Sequence, residues 1–151
     1  MQTFRFTIAK TGLFLLFLGL TLLQLLSFPG QFRHMRRTNG FSLLFEISLT
    51  LVVGLWLCCG QVALICLWRI VESMKLGGFY SAANFTWINR LLLTFKVASI
   101  IPIILFLMLI PQADDPGFFV LLSIVTLFIF SLTAISSLIK DEIEKKLDNS
   151  I

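Results

Sequence analysis

The sequence predicts an all-α integral membrane protein, four transmembrane helices in an antiparallel bundle with both termini cytoplasmic. Three observations carry that prediction. Hydrophobic residues make up 58% of the 151 residues, charged residues only 13%, and mean hydropathy is +0.96. Soluble domains carry about 25% charged residues, so this composition belongs in lipid. Four stretches, at about 11–28, 44–70, 87–110 and 118–139, are apolar enough to cross roughly 30 Å of hydrocarbon. Lys and Arg flank these stretches unequally. The N-terminus, second loop and C-terminal tail, with the span ends that adjoin them, hold nine of them, the first loop holds Arg33, Arg36 and Arg37, and the third loop none. Positive charge stays on the cytoplasmic side, which orients a multi-pass protein in the plasma membrane. The basic first loop alone runs against that count. The net charge of +4 is spread over span ends, so direct nucleic-acid binding is not expected.

The first span follows Arg5 and Lys10, as a signal peptide would. Its apolar run is longer than a usual signal core and SFPGQ offers no small-residue cleavage site, so a retained helix is expected. The first loop, QFRHMRRTNG, holds the single His34. The second helix has no breaker from Phe41 to Met74, a length of about 50 Å that must tilt or project beyond the bilayer. Its projecting turn carries Arg69 and Glu72 three residues apart, close enough to pair. Cys58, Cys59 and Cys66 all fall inside this span and read as small packing residues.

KLGGFYSAANFTWINR, at 75–90, reads as a helix stop followed by a helix start. Gly77 and Gly78 can close the second helix, and Ser81 is a good N-cap for the third, with Tyr80 and Phe85 at staple positions. On the cytoplasmic side the sequon at Asn84 is a chance match. Pro102 falls mid-span in the third helix. It frees the carbonyl of Ala98, which a neighbouring helix or a water must satisfy. The third loop is a tight Pro-, Asp- and Gly-rich turn. Asp114 and Asp115, with Pro116 and Gly117 behind them, are expected to attract Arg36 and Arg37 and close the outer end. The fourth span aligns Ser123, Thr126, Phe130, Thr133 and Ser137 on one face, a stripe suited to helix packing within the chain or in a homodimer. The tail, 140–151, continues as a charged helix with Ile143 and Leu147 on one side.

Candidate functional residues follow from this layout. Glu46, Gln61 and Lys96 are the polar groups within spans, where each needs a partner or a route to water. Glu46 lies within reach of the first-loop arginines, Gln61 is placed to bond another helix, and Lys96 can snorkel. Arg69, Glu72, Lys75, Phe79, Ser81, Ile143 and Leu147 are the candidate surface for a cytoplasmic partner. No Ser-His-Asp, Cys-His or metal-ligand constellation is present in the sequence, so neither an enzyme nor a cofactor is expected.

Two segments carry a resemblance: QVALICLWRIVESMKLGGFYSAANFTWINRL (61–91) and ADDPGFFVLLSIVTLFIFSLTAISSLIKDEIEKKL (113–147). A span ends in a charged turn, a Gly-x-Phe-Ser pattern opens the next helix, and an Asp-Asp-Pro-Gly turn leads into a final span with a short charged tail. In this order they resemble the bacterial four-helix membrane proteins grouped as domain of unknown function 2975. Here Gly77, Gly78, Phe79, Tyr80 and Ser81 match the Gly-x-Phe-Ser pattern with one residue extra. The resemblance implies a membrane protein without established enzymatic activity, whose relatives often accompany small cytoplasmic helix-turn-helix transcription regulators. It transfers no functional site. A regulatory or interaction component is therefore the first expectation, and a small transporter or channel subunit acting as a homo-oligomer the alternative.

Overall fold

The structure, a computed structural model, describes residues 2–40, 42–76, 81–110 and 116–148. All regular structure among them is helical: α1 (Gln2–Leu22), a π-helical turn (Leu23–Ser27), α2 (Phe28–Asn39), α3 (Leu43–Lys75), α4 (Ala82–Leu109) and α5 (Pro116–Asp148). Four stretches, Phe4–His34, Leu43–Lys75, Asn84–Leu109 and Phe119–Lys146, are long and apolar enough to cross a membrane. Gly77, Gly78, Phe79, Tyr80, Asp114 and Asp115 lie outside the described residues.

The first helix departs from the sequence expectation. The stretch at 31–39, expected as loop, is helical, and α1, the π turn and α2 form one rod. Pro29 explains the π turn, since it has no N–H to give the preceding turn and the wider winding absorbs that missing bond. α2 is then held by Phe28 stacked on Phe32, ring centroids 5.8 Å apart, and by Arg36 and Arg37 in its negative last turn. It stops at Gly40, whose φ of 70° places the left-handed cap where only glycine enters freely.

Serine oxygens start the next two helices. Ser42 Oγ accepts from Phe45 N–H, and Ser81 Oγ accepts from Asn84 N–H, each at 3.2 Å. Ser81→Ala should lower stability by about 1 kcal/mol, read as a lower thermal midpoint, and Ser81→Asp should recover most of it. Asn84 itself is fully buried, so its side chain is out of reach of any glycan transfer in the folded protein.

Each later helix packs chiefly on the one before it: α1 and α2 on α3, α3 on α4, α4 on α5. The four rods thus form a sequential row, with α1 on the outside. The two long seams carry heptad spacing. On α4, Asn84, Leu91, Ala98 and Leu105 form one buried line and Ile88, Pro102 and Leu109 a second. On α5, Leu122, Ser136 and Ile143 are buried in the same repeat, with half-buried Ile129 between them. This repeat keeps one face in contact along helices that cross at a shallow left-handed angle. Two core clusters result. One joins Leu49, Val53 and Cys59 to Ala98, Ile101, Leu105 and Leu122; the other joins Ala63, Cys66 and Ile70 to Ile88, Leu91 and Ile143.

Of the hydroxyl stripe on α5, Thr126, Thr133 and Ser137 are half-buried, while Ser123 and Phe130 are exposed. Ser123, Thr126 and Thr133 donate to carbonyls of the preceding turn of their own helix. The α4–α5 seam therefore runs along the apolar heptad line, with the stripe at its margin.

Candidate functional site

Polar side chains inside the spans converge on the contact between the first rod and α3. Lys10 pairs with Glu72 at 3.2 Å. Gln61 Nε2 donates to Thr21 Oγ1 at 3.0 Å. Gln24 Nε2 donates to Cys58 Sγ at 3.3 Å and to the Gly54 carbonyl at 3.4 Å. Arg36 pairs with Glu46. In Lys10–Glu72, Thr21–Gln61, Gln24–Cys58 and Arg36–Glu46 the two residue numbers share one sum, so a single antiparallel register holds from end to end. Gly60 lets the rods approach, since a Cβ there would lie 3.3 Å from the Leu20 methyl.

The chemistry of these rungs is that of a fastening. In lipid, apolar contact gives one helix no preference for another over acyl chains, so polar bonds set register. The residues of the first rod that face away remain exposed, among them Leu15, Leu18, Leu22, Leu25 and Leu26. Gln61→Leu removes one rung and should cost about 0.6 kcal/mol, and no more than about 1.7, as the average for such bonds in membranes indicates. Unfolding in mixed micelles measures it.

Glu46 thus sits at the end of the seam in the first turn of α3, where it pairs with Arg36. Arg36 is half-buried and Arg37 exposed. Because Asp114 and Asp115 lie outside the described residues, the expected attraction to them is not part of this geometry; the partner of Arg36 is Glu46. Lys96 is exposed on α4, away from the seam.

At the end of the row where α3 meets α4, the expected Arg69–Glu72 pair is replaced. Glu72 turns to Lys10, and the Arg69 guanidinium lies 5.7 Å from the Trp87 ring. Arg90 lies 4.8 Å from the same ring, and Lys140 lies 5.7 Å from Phe85. Lys10 also covers Trp68 at 5.0 Å. Lys75 is exposed and Ser81 is engaged in its cap. Ile143, expected on a docking surface, is fully buried among residues of α3 and α4. Hydrophobic burial has drawn the end of α5 into the row, which leaves Asp141, Glu142, Glu144 and Lys145 facing outward. Leu147 belongs to the last turn of the same helix, and Pro116 and Gly117 to its first.

Sequence reasoning missed Lys10, Gln24, Trp87 and Arg90 as members of these arrangements. Spacing places Trp87 and Arg90 one turn apart on a helix, which could have paired them. The other contacts need the register between helices.

Two open grooves flank the seam. One, of about 390 Å³, is lined by Gln24, Phe28, Thr50, Gly54 and Cys58 among others. The other, of about 460 Å³, is lined by Leu13, Phe14, Phe17, Leu64, Ile65 and Trp68, with Arg69 as its one charged residue.

Comparison with known proteins matches the chain to the family described as protein of unknown function (DUF2975), over residues 31–143. No curated protein and no solved structure matches. The matched span takes in α3 and α4 entire and α5 as far as Ile143.

Proposed function

The chain belongs to the DUF2975 family, and we propose that it is a regulatory or interaction component of the plasma membrane that meets a cytoplasmic partner. The observation that carries this reading is the use of Glu46 and Gln61 as ties between helices. Their polar atoms fix register instead of facing a central path, whereas a transport cycle draws on polar groups near the midplane. The outward-facing charges of Lys75, Asp141, Glu142, Glu144 and Lys145 lie beyond the most apolar turns, where a soluble partner can reach them. An even number of crossings would put both termini on one side, and the excess of Lys and Arg near them supports the cytoplasm as that side. A small helix-turn-helix regulator is the partner we propose, following the family resemblance.

The test is binding of such a regulator to the full chain in nanodiscs, with Lys75→Glu, Glu144→Lys and Lys145→Glu combined. Loss of binding in this variant, with the helical signal unchanged, supports the reading. Equal binding by both forms, or ion flux in proteoliposomes that depends on Glu46, would favour a transporter instead.

A further inference from the structure

We propose that the α3–α4 end of the molecule holds an anionic phospholipid, with its phosphate at Arg69 and Arg90 and an acyl chain in the groove between α1 and α3. This inference is independent of any cytoplasmic partner. It needs only that Trp68 and Trp87 lie at headgroup depth, the usual place for tryptophan in membrane helices.

Three observations meet here. First, two arginines from different helices converge on one indole: Arg69 and Arg90 lie 5.7 and 4.8 Å from the Trp87 centroid. Like charges gathered around one ring repel unless an anion or the ring's π face offsets them. Trp87 supplies the face, and its modest attraction leaves both guanidinium groups with most of their N–H donors unspent.

Second, the neighbouring acid is committed elsewhere. Glu72, one turn from Arg69, is held by Lys10 at 3.2 Å. Among the described residues neither arginine has a carboxylate within ion-pair distance. Both are exposed, so an incoming phosphate meets them without displacing a protein partner. A planar guanidinium donates two parallel N–H bonds to phosphate oxygens.

Third, the groove that Arg69 borders is otherwise apolar. Its volume of about 460 Å³ lies inside the range of roughly 300–1,000 Å³ typical of ligand pockets. Leu13, Phe14 and Phe17 form one wall, Leu64 and Ile65 the other. A free phosphate ion would gain nothing from these walls; a lipid gains from the walls and the arginines together. Basic pockets between spans at the headgroup level bind anionic lipids by this combination of charge and depth.

Native mass spectrometry of the full chain with phosphatidylglycerol or phosphatidylcholine reads the site. Phosphatidylglycerol should be retained over phosphatidylcholine, and Arg69→Gln with Arg90→Gln should lower that retention about tenfold. Lys96→Gln, an exposed cation away from the groove, should leave it unchanged. Ile65→Trp should reduce retention by filling the groove while leaving the charges intact. Equal losses for the arginine pair and Lys96→Gln would mean unspecific charge attraction and overturn the proposal. Displacement of the lipid by millimolar inorganic phosphate, or indifference to Ile65→Trp, would also overturn it, in favour of a simple anion site. Arg69 and Arg90 are both exposed, and an unchanged thermal midpoint shows that the variants fold.

Discussion

Trp56→Phe should destabilise the chain by about 1–3 kcal/mol, and most of that loss should disappear in a Pro102→Ala background. Pro102 has no N–H, so the carbonyl of Ala98, one turn earlier, has no partner in its own helix. The Trp56 indole N–H reaches across from α3 and donates to that carbonyl at 3.1 Å. Ala98 is buried and Pro102 almost fully enclosed, so no lipid or water can take over. Phenylalanine keeps a ring in place but removes the donor, which leaves an unsatisfied carbonyl in an apolar setting. Alanine at 102 supplies the missing helical N–H, after which the indole is dispensable. Unfolding of the single and double variants in mixed micelles gives the coupling, expected at about 1 kcal/mol or more. Additive effects would mean that the indole contributes only its volume.

Removing Arg36 should cost more than removing Glu46, and removing both should cost less than removing Arg36 alone. The Glu46 side chain is only 14% exposed, while that of Arg36 is 35% exposed. Arg36→Met strands a nearly buried carboxylate, with an expected loss of about 2–3 kcal/mol, between the limits for surface and buried pairs. Glu46→Leu leaves a guanidinium that still reaches water, and should cost about 1 kcal/mol. Combining the two removes both charges, and the apolar replacements offset part of the loss. The same unfolding assay orders the three variants. If the double variant falls by the sum of the singles, the two groups act separately and the seam is not fastened at this end.

These two contacts also show what a sequence can and cannot convey. The free carbonyl at Ala98 followed from Pro102 alone, because proline acts on its own helix. That Trp56 answers it did not follow, since the partner depends on how far α3 slides along α4. Glu46 was placed near three arginines by loop length, and only the register of α2 on α3 selects Arg36. The starts of α3 and α4 are set locally, by the capping oxygens of Ser42 and Ser81. The helical stretch at 31–39 was missed because its polar residues resemble a loop. Its signals were nevertheless local: aromatic side chains at 28 and 32, basic residues in the last turn, and the Asn39–Gly40 stop. Ile143 was legible as apolar and placed wrongly, because a lone apolar stripe on a charged helix fits a partner's surface or the chain's own. The heptad lines on α4 and α5 were present in the sequence and escaped notice in spans that are apolar on every face.

In the proposed orientation the α3–α4 end, with Lys75 and the outer face of α5, is presented to the cytoplasm. Labelling with a membrane-impermeant thiol reagent tests it directly, using Lys75→Cys and Arg33→Cys placed separately in a background without Cys58, Cys59 and Cys66. With this orientation, Arg33→Cys reacts in intact cells and Lys75→Cys reacts only after permeabilisation. Reaction of Lys75→Cys in intact cells, with Arg33→Cys protected, would contradict it.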